Sequence, residues 1–225
     1  MKGKPMLLCF GILALLRQEM PETTLKRIVE RLETAKTIRV KFSCEISLPP
    51  ELPGPIRSAK GELLLQDGNK VRLSIDQDPI EVPPKPLLCV SDGLKTMDAR
   101  GFSRSKDPAK SLHDCFRGFL PHLGILSGRI ALDLPQAAEG EPHFAKGFAP
   151  LNVKSGEAED GTKVLTYNVD GTLIKLWYDP KDLRILKRQL IFDKGSLLKD
   201  LTEIYESFDL NLGLPKDAFQ LPARR

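Results

Sequence analysis

Residues 165–210 read LTYNVDGTLIKLWYDPKDLRILKRQLIFDKGSLLKDLTEIYESFDL, and this stretch decides the fold class. Leu165, Tyr167 and Val169 alternate with Thr166 and Asn168, the period-two pattern of a half-buried strand. Asp170-Gly171 turns the chain, and Thr172 to Tyr178 runs back. Asp179-Pro180-Lys181-Asp182 is the next turn, and Leu183 to Phe192 the next strand. Lys194-Gly195 turns again into a strand from Leu197 to Leu210. Consecutive strands joined by tight turns, without long helices between them, pair antiparallel.

The same rhythm runs through the first half. Val40, Phe42, Cys44, Ile46 and Leu48 alternate with Lys41, Ser43, Glu45 and Ser47, giving one apolar and one wet side. Pro49, Pro50, Pro53 and Pro55 mark a stiff loop. A hairpin follows, with Gly61, Leu63 and Leu65, a turn at Asp67-Gly68-Asn69, then Val71, Leu73 and Ile75. After Pro79, Pro83, Pro84 and Pro86, Leu87 to Val90 and Lys95 to Asp98 flank a turn at Asp92-Gly93. About nine to eleven strands are expected, and a twisted sheet of that width curls toward a barrel.

Two helices interrupt the strands. Leu25, Ile28, Val29 and Leu32 form one apolar face over Thr24 to about Lys36. Asp107 and Pro108 cap a second helix, in which Leu112, Cys115, Phe116, Phe119, Leu120 and Leu123 share a face. Pro121 and Gly124 end it. Residues 129–150, with Pro135, Gly140, Pro142, Gly147 and Pro150, read as irregular loop.

The composition bounds the function. The chain has 225 residues, 41% hydrophobic and 28% charged, which is globular and sufficient for a core. The formal charge is +4, of which Lys2, Lys4, Arg17 and Glu19 supply +2. The remainder is nearly neutral, which argues against a nucleic-acid partner. Residues 1–20 read as a signal peptide or short N-terminal anchor, and 21–225 as one domain. Lys2 and Lys4 precede the apolar run MLLCFGILALL, Met6 to Leu16, which is short for a bilayer span. Arg17-Gln18-Glu19-Met20 offers no small-residue cleavage site, so a tethered form stands beside a secreted one. Leu8 occupies the place where a lipidated Cys9 would need a small residue. Cys44, Cys89 and Cys115 are widely spaced and form no metal or redox motif. Buried thiols behave as small hydrophobes, and a single disulfide is the alternative.

In order and spacing the elements resemble the outer-membrane lipoprotein carrier (LolA-like) superfamily of periplasmic lipoprotein chaperones. The resemblance rests first on Tyr178-Asp179-Pro180, Leu183, Asp193-Lys194-Gly195, Tyr205, Phe208, Asn211, Leu214-Pro215, Phe219 and Pro222. Phe42, Gly61 and Asp92-Gly93 also fit. It implies an α+β fold: an unclosed, strongly curved antiparallel half-barrel with an N-terminal helix and a helical lid over the concave face. It further implies an exported, periplasmic, non-catalytic carrier, monomeric, holding acyl chains of a lipoprotein or lipid. A membrane-bound loading or receiving protein is the implied partner. The cavity would be lined by Phe42, Cys44, Ile46, Leu63, Leu65, Val71 and Leu73, and the lid by Leu112, Phe116, Phe119 and Leu123. Gly118, Pro121 and Gly124 would act as lid hinges. The alternative is an envelope-stress or lipoprotein-sensing regulatory domain with the same fold. On periodicity alone these stripes read as ordinary core.

Catalytic readings find little support. His113, His122 and His143 match no metal or catalytic spacing, and no G-x-S-x-G elbow or Gly-rich phosphate loop exists. Glu157, Glu159 and Asp160 cluster beside Gly161 as a solvated turn, and nothing pairs them for hydrolysis. Arg184 and Arg188 share a strand face with Leu186 and Leu190 under strict alternation. That face is either simply wet or a contact for anionic headgroups or an acidic partner. No cofactor and no metal are expected, and a lipid-processing enzyme is the least supported reading.

Overall fold

The computed structural model describes residues 20–48, 57–66, 70–76, 86–93, 96–97, 103–104, 150–169, 171–193 and 199–221. Helix α1 (Pro21–Thr34) leads into β1 (Thr37–Ser47), β2 (Arg57–Gln66), β3 (Lys70–Ile75), β4 (Leu87–Asp92), β5 (Thr96–Met97) and β6 (Ser103–Arg104). The second half comprises β7 (Leu151–Glu157), β8 (Lys163–Val169), β9 (Thr172–Tyr178), β10 (Ile185–Ile191) and β11 (Asp200–Leu210). Of the expected signal or anchor segment 1–20, residues 1–19 lie outside the described residues, as does the expected helix over 107–124 with Leu112, Phe116, Phe119, Leu123 and its hinge candidates. So do the three histidines, Cys9 and Cys115.

The eleven strands of the described residues form one antiparallel sheet in the order β6-β5-β4-β3-β2-β1-β11-β10-β9-β8-β7. Each half is a meander, and the halves join where the first strand pairs with the last. Ile38 stands opposite Leu210 and Ile46 opposite Leu201. Among the described residues the outermost strands, β6 and β7, do not pair with each other, so the curved sheet is an unclosed half-barrel. The half-barrel with an N-terminal helix implied by the sequence resemblance is observed, while the expected lid lies outside the described residues.

The helix starts three residues before the expected Thr24. Pro21 occupies its first turn, where a missing N–H costs nothing and a fixed φ is pre-organised. It ends at Thr34, because Ala35 is already extended. Leu25, Ile28, Val29 and Leu32 are buried in one cluster with Ile38, Val40, Phe42, Leu63, Leu73, Leu165, Leu176, Tyr205 and Phe208. Burying each large aliphatic chain contributes about 1.5–3 kcal/mol. We call the sheet face in this cluster the inner face.

Three register shifts bend the sheet among the described residues, one of them between Leu151 and Lys154 in the β7–β8 pairing. The β1–β11 register passes from Lys41↔Ser207 to Phe42↔Tyr205, leaving Glu206 as an extra residue. The β9–β10 register passes from Ile185↔Tyr178 to Lys187↔Trp177, leaving Leu186 extra. A bulge adds twist and bend to its strand. Gly171 takes φ +80° in the β8–β9 turn, the left-handed conformation that glycine tolerates.

The C-terminal residues that carried the resemblance lock the seam. Asn211 stands at φ +60°. Its Oδ1 accepts the Lys36 N–H at 2.8 Å. Its own N–H donates to the Thr37 carbonyl at 2.8 Å. Thr37 Oγ1 donates to the Leu212 carbonyl at 2.7 Å. The tail then crosses the outer face, where Ala218 and Phe219 pack on Leu64 with Leu214 alongside.

Candidate functional site

The inner face is best read in rows across the sheet. In one row, Phe42 lies opposite Gly61 on β2 and Tyr205 on β11. In the adjacent row, Ala59, Cys44, Glu203, Arg188, Leu176 and Leu165 follow one another over six strands. Leu65, Val71, Leu63, Leu73 and Cys89 continue the apolar surface over β2 to β4. Phe42, Cys44, Leu63, Leu65, Val71 and Leu73 all belong to the main core cluster. Ile46 joins Leu190 and Leu201 in a smaller cluster at the far end of the same face. All seven are 3% exposed or less.

Phe42 and Gly61 form the tightest contact on this face. A Cβ on Gly61 would lie 2.6 Å from Phe42 Cζ and 2.8 Å from the Ser74 carbonyl oxygen. Ordinary carbon contacts are about 3.5–4.0 Å, so only glycine leaves room for the ring.

Polar groups interrupt the apolar surface at its centre. Arg188 is not on a wet face and is not a surface contact: it is 2% exposed, beside Glu203 at 0%. The bulge at Leu186 is the reason the strict-alternation face fails. It turns Ile185 inward in place of Leu186, while Arg188 and Leu190 remain inward. Arg188 Nε donates to Glu203 Oε2 at 2.8 Å. Tyr205 Oη donates to the same oxygen at 2.5 Å. Burial pushes the Glu203 carboxyl up, against the pull of the Arg188 charge and the two hydrogen bonds. Burial alone would lower Arg188, but Glu203 raises it, so it stays a cation. Burial raises Tyr205 well above its ordinary value, reinforced by the Glu203 charge. Burial also pushes Tyr167 up to about 12, opposed by Arg188. Both phenols therefore stay protonated, and Tyr205 serves as a donor to Glu203.

Sequence reading missed Glu203, Tyr205 and Tyr167 as a group. The available signal was register. Leu201, Glu203 and Tyr205 occupy the buried positions of β11, while Ile204 points outward and is 45% exposed.

Arg184 lies elsewhere. It is exposed, ahead of β10, at the rim of a cavity of about 230 Å³ between α1, β10 and β11. Ile28, Leu32, Leu183, Ile185 and Phe208 form its apolar walls, with Arg31, Asp182 and Asp209 also at the lining. Leu183 holds φ +55°, rare for a branched side chain. The turn fixes it there: its N–H donates to the Asp179 carbonyl at 2.8 Å. The Arg184 N–H donates to Asp182 Oδ1 at 2.9 Å. The Glu157–Asp160 segment is the solvated turn expected. Asp160 Oδ1 accepts the Thr162 N–H at 2.9 Å, and Glu157 pairs with Lys163. Cys44 and Cys89 are buried in the core, and among the described residues no three metal-ligating side chains converge. Among them too, no helix is long and apolar enough to cross a membrane.

The geometry defines an open antiparallel half-barrel with an apolar inner face around a buried ion pair. No family model matches the chain, and no curated protein matches it. Among solved structures it is similar to a LolA superfamily protein from Nitrosomonas europaea, at 10% identity and TM-score 0.36. That match covers 90% of this chain and 98% of the other. It is also similar to the lipoprotein LppX of Mycobacterium tuberculosis, at 9% identity and TM-score 0.47, covering 87% and 97%. LprF of Mycobacterium bovis matches at 11% identity and TM-score 0.42, covering 87% and 94%.

Proposed function

We propose that this protein is a non-catalytic, extracytoplasmic carrier that holds acyl chains of a lipoprotein or lipid against the inner face of its half-barrel. The observation that carries this reading is the broad apolar surface over β1 to β4 and β8 to β11, broken at its centre by Arg188 and Glu203, on a sheet whose outermost strands among the described residues do not pair with each other. The basic and apolar N-terminal segment and the ordered resemblance to lipoprotein carriers support it. Ten buried methylenes contribute roughly 8 kcal/mol, equivalent to a micromolar Kd before the cost of association. In this reading the protein acts as a monomer, loaded or unloaded by a membrane-bound partner.

A second reading has its own observation. All seven candidate lining residues on the described strands are already buried. A face so covered suits a regulatory interaction domain that responds to lipoproteins or envelope stress without carrying lipid. Native mass spectrometry of the full chain, purified from an exporting host and then solvent-extracted, separates the two. The carrier reading expects co-purifying acyl lipid, or uptake of added lipid. A clean apo mass that takes up no fatty acid or lipopeptide refutes it and leaves the regulatory reading.

A further inference from the structure

The bonding of Glu203 is lopsided. Its Oε2 accepts both Arg188 Nε and Tyr205 Oη. Its Oε1 is buried and accepts no hydrogen bond among the described residues. An ionised carboxylate can accept about four hydrogen bonds, and buried acceptors are rarely left without a donor. The strand register places Glu203 on the apolar inner face, between Cys44 of β1 and Arg188 of β10. Leu201 and Tyr205 are its inward neighbours along β11, and Leu176 and Leu165 extend the row beyond Arg188.

The charges limit what can complete this carboxylate. Arg188 and Glu203 already neutralise one another. An anion would be repelled at Oε1, and a cation would add an unbalanced charge to an apolar wall. A neutral hydrogen-bond donor fits both constraints. The apolar residues along the same row suit an alkyl chain lying beside that donor.

We propose that Glu203 Oε1 is a polar recognition point on this face. It selects acyl ligands that carry a neutral donor, a hydroxyl or an amide N–H, next to the chain. This rests on the carrier reading above. Arg188 and Tyr205 are positioning residues: by engaging Oε2 they leave Oε1 for the ligand.

The test uses the full chain and displacement of a fluorescent palmitoyl probe by three ligands with one chain length. 1-Monopalmitoylglycerol offers hydroxyls, palmitamide offers an amide N–H, and methyl palmitate offers no donor. Hydrogen bonds to charged groups predict that the better donor ligand binds about tenfold tighter than methyl palmitate, or more. The two donor ligands distinguish hydroxyl from amide recognition. A paired variant, Arg188→Met with Glu203→Leu, replaces the ion pair by apolar side chains, an exchange that buried pairs often tolerate. It should bind all three ligands alike. Equal affinities in the wild type, or a preference that survives in the variant, overturn the proposal. The wild-type comparison decides the matter even if the variant does not fold. Binding without discrimination defeats this inference alone, whereas no binding of any ligand defeats the carrier reading with it.

Discussion

Replacing Gly61 by alanine inserts one carbon where the structure has no space for it. The new Cβ would stand 2.6 Å from Phe42 Cζ, 2.9 Å from Phe42 Cε1 and 2.8 Å from the Ser74 carbonyl oxygen. Phe42 is 1% exposed, so its ring has nowhere to retreat without displacing core neighbours. The Ser74 oxygen belongs to the backbone of β3, which is paired on both sides. Overpacking of this kind costs about 1–3 kcal/mol, and a backbone clash places it toward the upper end. Alanine's strand advantage over glycine, about 0.5–1 kcal/mol, works in the opposite direction. The expected net loss for Gly61→Ala is therefore about 2 kcal/mol, or roughly 4–8 °C in Tm for a domain of this size. Urea unfolding followed by the fluorescence of Trp177, the only tryptophan, measures it. The contact is tested separately by Phe42→Leu, which removes Cζ and Cε1. In the Gly61→Ala background this change should cost about 1 kcal/mol less than it does alone. A Gly61→Ala protein as stable as the wild type refutes the reasoning. So does a double-mutant cycle that is additive within about 0.5 kcal/mol.

Asn211→Ala should cost about 2–3 kcal/mol, because it loses the bond to the Lys36 N–H and forces alanine into a left-handed conformation. Asn211→Gly keeps the backbone geometry and should cost about 1 kcal/mol; equal losses in urea unfolding would show that conformation plays no part. The Glu203 carboxyl is raised above its ordinary 4.5 by burial, against Arg188 and Tyr205, so the folded protein holds this proton more tightly than the unfolded chain. Its contribution to stability is fully present below pH 4.5 and is lost as pH rises through the folded-state value. The wild type's stability advantage over Glu203→Gln should therefore be larger at pH 4.5 than at pH 7, and an advantage that grows with pH would mean that Arg188 outweighs burial. Arg188→Met alone should destabilise by about 3–5 kcal/mol through the buried charge it leaves, and adding Glu203→Leu should recover most of that loss. Failure of the second change to recover stability would place the damage in packing rather than charge.

Much of the fold is legible in local patterns. The spacing of Leu25, Ile28, Val29 and Leu32 gives α1, and alternation gives β1, β3 and β8 with their inward residues. The burial of Phe42, Cys44, Ile46, Leu63, Leu65, Val71 and Leu73 was legible for the same reason. Pro21 hides the helix start, because proline reads as a breaker unless it occupies the first turn. Strand β7 is obscure because Val153 alone is buried along it. Long-range pairing has no local signature, so the β1–β11 seam could not be read from alternation. The polar centre was missed because Glu203 and Arg188 look like solvent-facing residues when each strand is read alone. Only the register between β10 and β11 reveals that they face one another.

The seam between β1 and β11 sets an order of assembly. A chain appearing from its N-terminus can form β1 to β4 early, because those pairings are local. The other edge of β1 must then keep its N–H and C=O groups unpaired until residues 200–210 arrive. Unpaired edges invite pairing with foreign chains, and contacts this distant in sequence form slowly. The final strand is therefore also the one that ends the molecule's vulnerability. A chain truncated before Asp200 would retain most of its apolar surface but present two half-sheets with sticky inner edges in place of one protected whole.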